Sequence, residues 1–365
     1  MGDDVVLVIV VATALAFGFT NGFHDTANVI GTSLSTKAMS PRMAVAYTSI
    51  LNFAGAFISL EVAATIAEDV IDAGVISPTV VFAGVIGAIA WNLITWYWGL
   101  PSSSSHALIG GVVGSTVAAV GTGAVLADGL VGDVLVPAVV APMVAFLIGG
   151  VAIALVYRIV GGMRPGPVTR GFRLGQTAMG GLLAVAHGTN DAQKTMGVIT
   201  LALVANGTLS SGAEVPFWVV VSAAVAIALG TYSGGWRIIR RIGMRVVKMD
   251  AAQGFTAQGA GSAVILASSY VGFPLSTTQV ISGAVMGAGA GRRLSPARWG
   301  LATNIALAWL VTLPAAAAIG AAAYGATRAF GTGALGPVVV TVIAVVLVVA
   351  AFARRARHGA PIPAG

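Results

Sequence analysis

Asn21-Gly22-Phe23-His24-Asp25-Thr26-Ala27-Asn28-Val29-Ile30-Gly31 sets a string of polar side chains inside an otherwise apolar run. The pattern returns 166 residues later as His187-Gly188-Thr189-Asn190-Asp191-Ala192-Gln193-Lys194-Thr195-Met196-Gly197. Gly22, Asp25 and Gly31 meet Gly188, Asp191 and Gly197, while Asn28 meets a lysine. A second pair follows in the same order. Pro101-Ser102-Ser103-Ser104-Ser105-His106 is answered by Pro274-Leu275-Ser276-Thr277-Thr278-Gln279 at an offset of 173, and Gly110 and Gly114 by Gly283 and Gly287. Two motifs in one order at similar offsets mark a duplicated chain.

The surrounding composition says where such a chain lives. Hydrophobic residues make up 57% of 365 and charged ones only 8%, with mean hydropathy +0.94. A soluble domain is about 25% charged, so lipid is the solvent for most of this surface. The absence of cysteine excludes disulfides, thiolate metal sites and cysteine nucleophiles. The net charge of +7 suggests cytoplasmic loops rather than nucleic acid.

Apolar stretches fall at about 5–36, 42–66, 78–99, 103–127, 131–159, 174–207, 216–236, 255–272, 276–290, 299–326 and 334–353. An all-α polytopic membrane protein of about 10 to 12 membrane segments follows, since a span needs about 20 apolar residues. The stretches 5–36 and 174–207 are too long for one span and carry the polar motifs midway, which reads as a pair of broken helices.

Basic residues fix the orientation. Lys37 and Arg42, then Arg158, Arg164, Arg170 and Arg173, then Arg237, Arg240, Arg241, Arg245 and Lys248, then Arg292, Arg293 and Arg298, and finally Arg354, Arg355 and Arg357 occupy alternate loops. The acids Glu68, Asp69, Asp72, Asp128, Asp133 and Glu214 take the others. The expected multi-pass topology has the N-terminus outside and the C-terminus in the cytoplasm. All basic residues but Arg328 and Lys194 then lie inside. The chain divides into a first repeat at 1–160, a basic linker at 161–173 and a second repeat of inverted topology at 174–326. An extra span at 327–353 and a basic tail at 354–365 follow. Inverted repeats with broken helices and hydroxyl-tipped hairpins are a transporter architecture, with the substrate near the midplane.

The motifs suggest the cargo. Hydroxyls just before a helix, at Ser103, Ser104, Ser105 and at Ser276, Thr277, Thr278, can cap it, and its free N–H groups favour an anion. Asp25 and Asp191 each cost about 2.5–3.5 kcal/mol at a bilayer centre. A carboxylate repels an anion, so its job is to hold a cation or proton that travels with it. Asn21, Asn28 and Asn190 add neutral oxygens and amide donors, and Thr26 and Thr189 suit either role. Lys194, one turn from Asp191, can act as a tethered cation or contact the anion. His24, His106 and His187 are candidate proton relays. No metal site is evident.

These four motifs together resemble the signatures of the inorganic phosphate transporter family over nearly the whole chain. The resemblance implies symport of inorganic phosphate across the cell (inner) membrane with a coupling cation, H+ or Na+, as homodimers, without other cofactors. It places phosphate and cation at Asp25, Asn28, Asn190, Asp191, Ser103, Ser104, Ser105, Ser276, Thr277 and Thr278. Sodium-coupled members carry a second Asn where Lys194 stands, and eukaryotic members a Glu near Asn52. The Phe-His-Asp and Gln-Lys variants resemble proton-coupled bacterial members that accept metal–phosphate complexes. Sulfate or another tetrahedral oxyanion is the alternative cargo. A membrane serine hydrolase built on Ser105 and His106 is a distant one: neighbours on a helix face different ways, and no Gly-x-Ser-x-Gly elbow is present.

Overall fold

A computed structural model describes residues 2–98, 100, 102–234, 249–290, 299–331 and 333–357. Pro101, the basic loop from Arg237 to Lys248, the loop bearing Arg292, Arg293 and Arg298, and the tail from His358 lie outside the described residues. Among the described residues the architecture is helical: α1 (Gly2–Ser35), α2 (Pro41–Gly55), α3 (Glu61–Glu68), α4 (Pro78–Trp98), α5 (Ser104–Val120) and α6 (Ala127–Val160), then α7 (Pro165–Ala205), α8 (Phe217–Ser233), α9 (Ala251–Val271), α10 (Thr277–Ala290), α11 (Trp299–Arg328) and α12 (Leu335–Arg357). A short π segment, Leu130–Leu135, lies near the start of α6. Among the described residues, stretches of α1, α4, α6 and α11 are long and apolar enough to cross a membrane, and α5, α8 and α12 contain shorter apolar helices.

Three expectations change. The helices carrying the duplicated motif are not broken: α1 and α7 run continuously through it. Neither motif contains proline, the usual cause of a break. Its polar residues recur three and four apart, at Asn21, Asp25 and Asn28 and at His187, Asp191 and Lys194. One helix face therefore presents them together, and partners on other helices satisfy most of them. The interruptions lie instead at the hairpin tips, before α5 and before α10. Second, the stretch 42–66 is two helices, α2 and α3, separated at Ala56–Leu60. Third, most of the expected linker 161–173 is the opening of α7, begun by Pro165 at a first-turn position where its missing N–H costs nothing.

Among the described residues, several elements recur between the halves. α4 and α9 are both 21 residues, and both hairpins restart at equivalent positions, Ser104 and Thr277. Each half's last helix packs on the other half's hairpin: α11 on α4 and α5, α6 on α9 and α10. Glycines set these crossings, and several close approaches have counterparts with the halves exchanged. A Cβ on Gly22 would stand 2.3 Å from the Ile227 carbonyl oxygen, and one on Gly188 would stand 2.2 Å from that of Asn52. Gly114 and Gly287 meet the carbonyls of Ala317 and Phe146 in the same way. Only glycine lets two backbones approach so closely.

Along α1 and α7 the core divides in two. One hydrophobic cluster takes Val10, Ala14 and Phe17 from α1 with Met196, Ile199 and Leu203 from α7. The other takes Ala27, Val29 and Ile30 from α1 with Leu183, Ala184 and Ala186 from α7. The two helices therefore run antiparallel past one another, with the polar motifs between the clusters.

Candidate functional site

Asp25 and Asp191 sit where α1 and α7 cross, both fully buried. The two hairpin tips close over them. Ser103 caps α5 by accepting from the His106 N–H at 3.1 Å, and Ser276 accepts from the Gln279 N–H at 3.3 Å. Gly272, at φ +91°, ends α9 in the left-handed conformation and turns the chain into the second tip. With Ser103 and Ser276 used as caps, the next residues on each tip reach the carboxylates.

Around Asp25 the donors come from both halves. Ser104 Oγ donates to Oδ2 at 2.7 Å, and Thr278 Oγ1 to Oδ1 at 3.2 Å. Asn28 Nδ2 donates to Oδ1 at 3.2 Å and to Thr278 Oγ1 at 2.7 Å. His24 Nδ1 lies 2.9 Å from Oδ1. Asp191 has fewer hydroxyls and an added charge. Thr277 Oγ1 donates to Oδ2 at 3.2 Å, and His187 Nε2 lies 2.8 Å from the same oxygen. Lys194 Nζ bonds Oδ1 and donates to the Leu275 carbonyl at 2.8 Å. Lys194 is completely buried and does not snorkel to an interface. One ligating atom each from Asp25, His187 and Asp191 lie within 4.8 Å of one another, a spacing that a cation can bridge.

The remaining sequence candidates divide. Ser105 Oγ donates to the Leu275 carbonyl at 2.8 Å, tying one tip to the other. Asn190 Nδ2 holds the second hairpin through Ser269 Oγ at 3.0 Å and the Phe273 carbonyl at 3.2 Å. Thr26 and Thr189 turn their hydroxyls to carbonyls, of Gly22 and Thr231 in the first case and of Gly55 and Val185 in the second. Asn21 is buried with neither side-chain polar atom bonded. Ser105 and His106 do not pair as nucleophile and base, since the His106 ring faces Gln279 at 3.3 Å.

Two contributors were weakly marked in sequence. His187 lies one turn before Asp191 on the same face, and that spacing was its signal. Its Nδ1 lies 3.3 Å from Asn52 Oδ1, and Asn52 Nδ2 donates to Thr231 Oγ1 at 2.9 Å. The Leu275 carbonyl is a backbone acceptor that no residue type announces.

An all-helical body with lipid-compatible helices and a polar centre enclosed by two hairpin tips is the build of a membrane transport protein. Comparisons with known proteins say which kind. Residues 21–320 match the phosphate transporter family, and the chain belongs to that family, one of transporters rather than enzymes. A Mycobacterium bovis protein named a low-affinity inorganic phosphate transporter is 54% identical over 89% of this chain and 78% of its own. Proteins of the same name from Rhizobium meliloti and Bacillus subtilis are 44% and 40% identical, covering 87% and 88% of this chain and 95% and 96% of theirs. In fold, the chain is similar to a solved structure named the sodium-dependent phosphate transporter. The TM-score is 0.79 at 23% identity, over 88% of this chain and 98% of that one.

Proposed function

We propose that the protein imports inorganic phosphate across the cell membrane by symport, with protons rather than sodium as the coupling ion. Two inverted halves, the N-terminus outside and the C-terminus in the cytoplasm complete the reading. The antiparallel crossing of α1 and α7 and the exchanged glycine contacts support the inversion. The names carried by the bacterial relatives support phosphate as cargo.

The observation that carries the mechanism is the sharing of hydroxyls. Ser104, Thr277 and Thr278 stand at the helix starts that would receive an oxyanion, yet they donate to Asp25 and Asp191. A phosphate entering here needs those donors and meets two carboxylates that repel it. Adding a proton, or another cation, removes both obstacles: it cancels the charge and frees the hydroxyls. Phosphate then binds well only when the cation is present, and that dependence is symport. A metal–phosphate complex would bring part of the neutralising charge with it.

Proton coupling rests on Lys194. Where the first half has the neutral Asn28, the second already holds an ammonium against its carboxylate, which leaves less need for a metal ion there. Phosphate uptake into proteoliposomes, with a pH or a sodium gradient imposed separately, tests the proposal. Accumulation driven by the pH gradient with choline replacing sodium is expected. Uptake that requires sodium overturns proton coupling, and the absence of phosphate uptake under every gradient overturns the function.

A further inference from the structure

The polar stripe of α1 does not stop at the carboxylate. It runs on for two turns past Asn28, through Thr32 and Ser33 to Thr36, and ends at the exposed Lys37. α7 and α9 line the same space with glutamines. Thr36 Oγ1 donates to Gln176 Oε1 at 2.6 Å, and Gln258 Nε2 donates to Ser33 Oγ at 2.8 Å. All five side chains are buried, and three of their polar atoms have no partner: Thr32 Oγ1, Gln176 Nε2 and Gln258 Oε1. Unpaired polar atoms at such depth are unfavourable.

The duplication supplies the control. At the offsets of the two motifs, the counterparts of Thr32, Ser33, Thr36, Gln176 and Gln258 are Val198, Ile199, Ala202, Val10 and Val85. All five are buried in a single hydrophobic cluster on the other side of the carboxylates. A cavity of about 10 Å³ beside them is walled by apolar residues such as Leu108, Ile109 and Val198, with room for no more than about one water. Helix packing therefore does not require polar side chains at these positions, because the same crossing closes with hydrocarbon in the other half.

We propose that Thr32, Ser33, Thr36, Gln176 and Gln258 line the passage through which phosphate leaves the central site for the end of the molecule bearing Lys37 and Arg173. Hydroxyls and amides both donate and accept, so they can follow a hydrated oxyanion without trapping it by charge. The inference rests on the transport reading above, and the orientation proposed there makes this end cytoplasmic.

The chain has no cysteine, so single cysteines report on the native background. Ser33→Cys, Gln258→Cys and their counterparts Ile199→Cys and Val85→Cys are placed in oriented membrane vesicles and exposed to a charged, membrane-impermeant thiosulfonate from either face. Melting temperatures in detergent check folding, and the near-isosteric Ser33→Cys decides the matter if Gln258→Cys is unstable. Ser33→Cys and Gln258→Cys are expected to react from the cytoplasmic face, several-fold more slowly in saturating phosphate, and Ile199→Cys and Val85→Cys not to react from that face. In proteoliposomes Gln258→Leu is expected to lower the maximal rate of phosphate uptake about tenfold with KM unchanged, since it removes one polar partner along the path but none at the carboxylates. No reaction of Ser33→Cys and Gln258→Cys from the cytoplasmic face, or reaction only from outside, overturns the proposal. Cytoplasmic labelling indifferent to phosphate, in a protein that takes up none, retires phosphate as the cargo and leaves the passage standing.

Discussion

Asp25 and Asp191 occupy equivalent places on equivalent helices, yet they are stabilised differently. Asp25 accepts from two hydroxyls and an amide, beside an imidazole. Asp191 has one hydroxyl, Thr277 in the place of Ser104, an imidazole from His187 one turn away rather than next to it, and an ammonium where the first half offers Asn28. Backbone packing is common to both; charge is not. The comparison separates what duplication conserves, a crossing held by glycine, from what one copy can change, the charge state of its centre.

The largest effects should come from removing either carboxylate. Asp25→Asn and Asp191→Asn are each expected to abolish coupled uptake in proteoliposomes. Their stabilities should differ. Asp191→Asn strands a buried ammonium, which costs about 3–5 kcal/mol, whereas Asp25→Asn leaves hydroxyl donors that an amide oxygen can still accept from. Melting temperatures in detergent measure this, and equal losses would break the comparison. Adding Lys194→Asn to Asp191→Asn should restore stability without restoring uptake.

Lys194→Asn alone makes the two centres chemically alike. Asp191 then sits uncompensated where a close charge pair counts far more than in water. The variant should either lose uptake or gain a requirement for sodium. Uptake at fixed pH with sodium or choline outside distinguishes these outcomes. Wild-type behaviour in both salts would show that the ammonium has no part in coupling.

Much of this was legible in sequence because it depends on residue type and spacing. The repeat, the hydroxyl tips, the two aspartates and the odd lysine could all be read directly. The continuity of α1 and α7 could not. A polar run inside an apolar stretch looks the same whether the helix breaks or its side chains are satisfied by partners distant in sequence, such as Thr278 for Asn28 and Thr277 for Asp191. Contributions such as the Leu275 carbonyl come from backbone, on which residue identity is silent. Asn52 carried no motif of its own, and only the fold brings it to His187.

A smaller effect is expected at the tips, where Ser104 and Thr277 are equivalents. Ser104→Ala and Thr277→Ala each remove one hydrogen bond to a charged group, worth about 1.5–3 kcal/mol. The half-saturating phosphate concentration should rise about 10- to 100-fold. Thr277→Ala should have the larger effect, since Ser104 is held more tightly by its carboxylate, at 2.7 Å to Asp25 against 3.2 Å for Thr277 to Asp191, and is harder to release to phosphate. Unchanged affinity in both variants would reduce the tips to helix caps.

The smallest effect lies where the halves meet as equals. His106 and Gln279 are counterparts in the two tip motifs, and they face one another at 3.3 Å, Nδ1 to Nε2. A residue touching its own counterpart must lie beside the axis that exchanges the halves. The contact is a neutral hydrogen bond, worth about 0.5–1.5 kcal/mol. His106→Gln and Gln279→His should each cost about that much, because each changes the reach and shape of one partner in a contact fitted to the other. The double swap restores an unlike pair with the halves reversed. If the axis is real, its stability should return to within about 0.5 kcal/mol of the parent, a coupling that a double-mutant cycle of melting or denaturant curves can resolve. Uptake should change little throughout, since neither side chain is bonded to a carboxylate. A double swap as unstable as the sum of its single variants would mean that the tips are not interchangeable there, and that the symmetry of the crossing glycines does not extend to the axis.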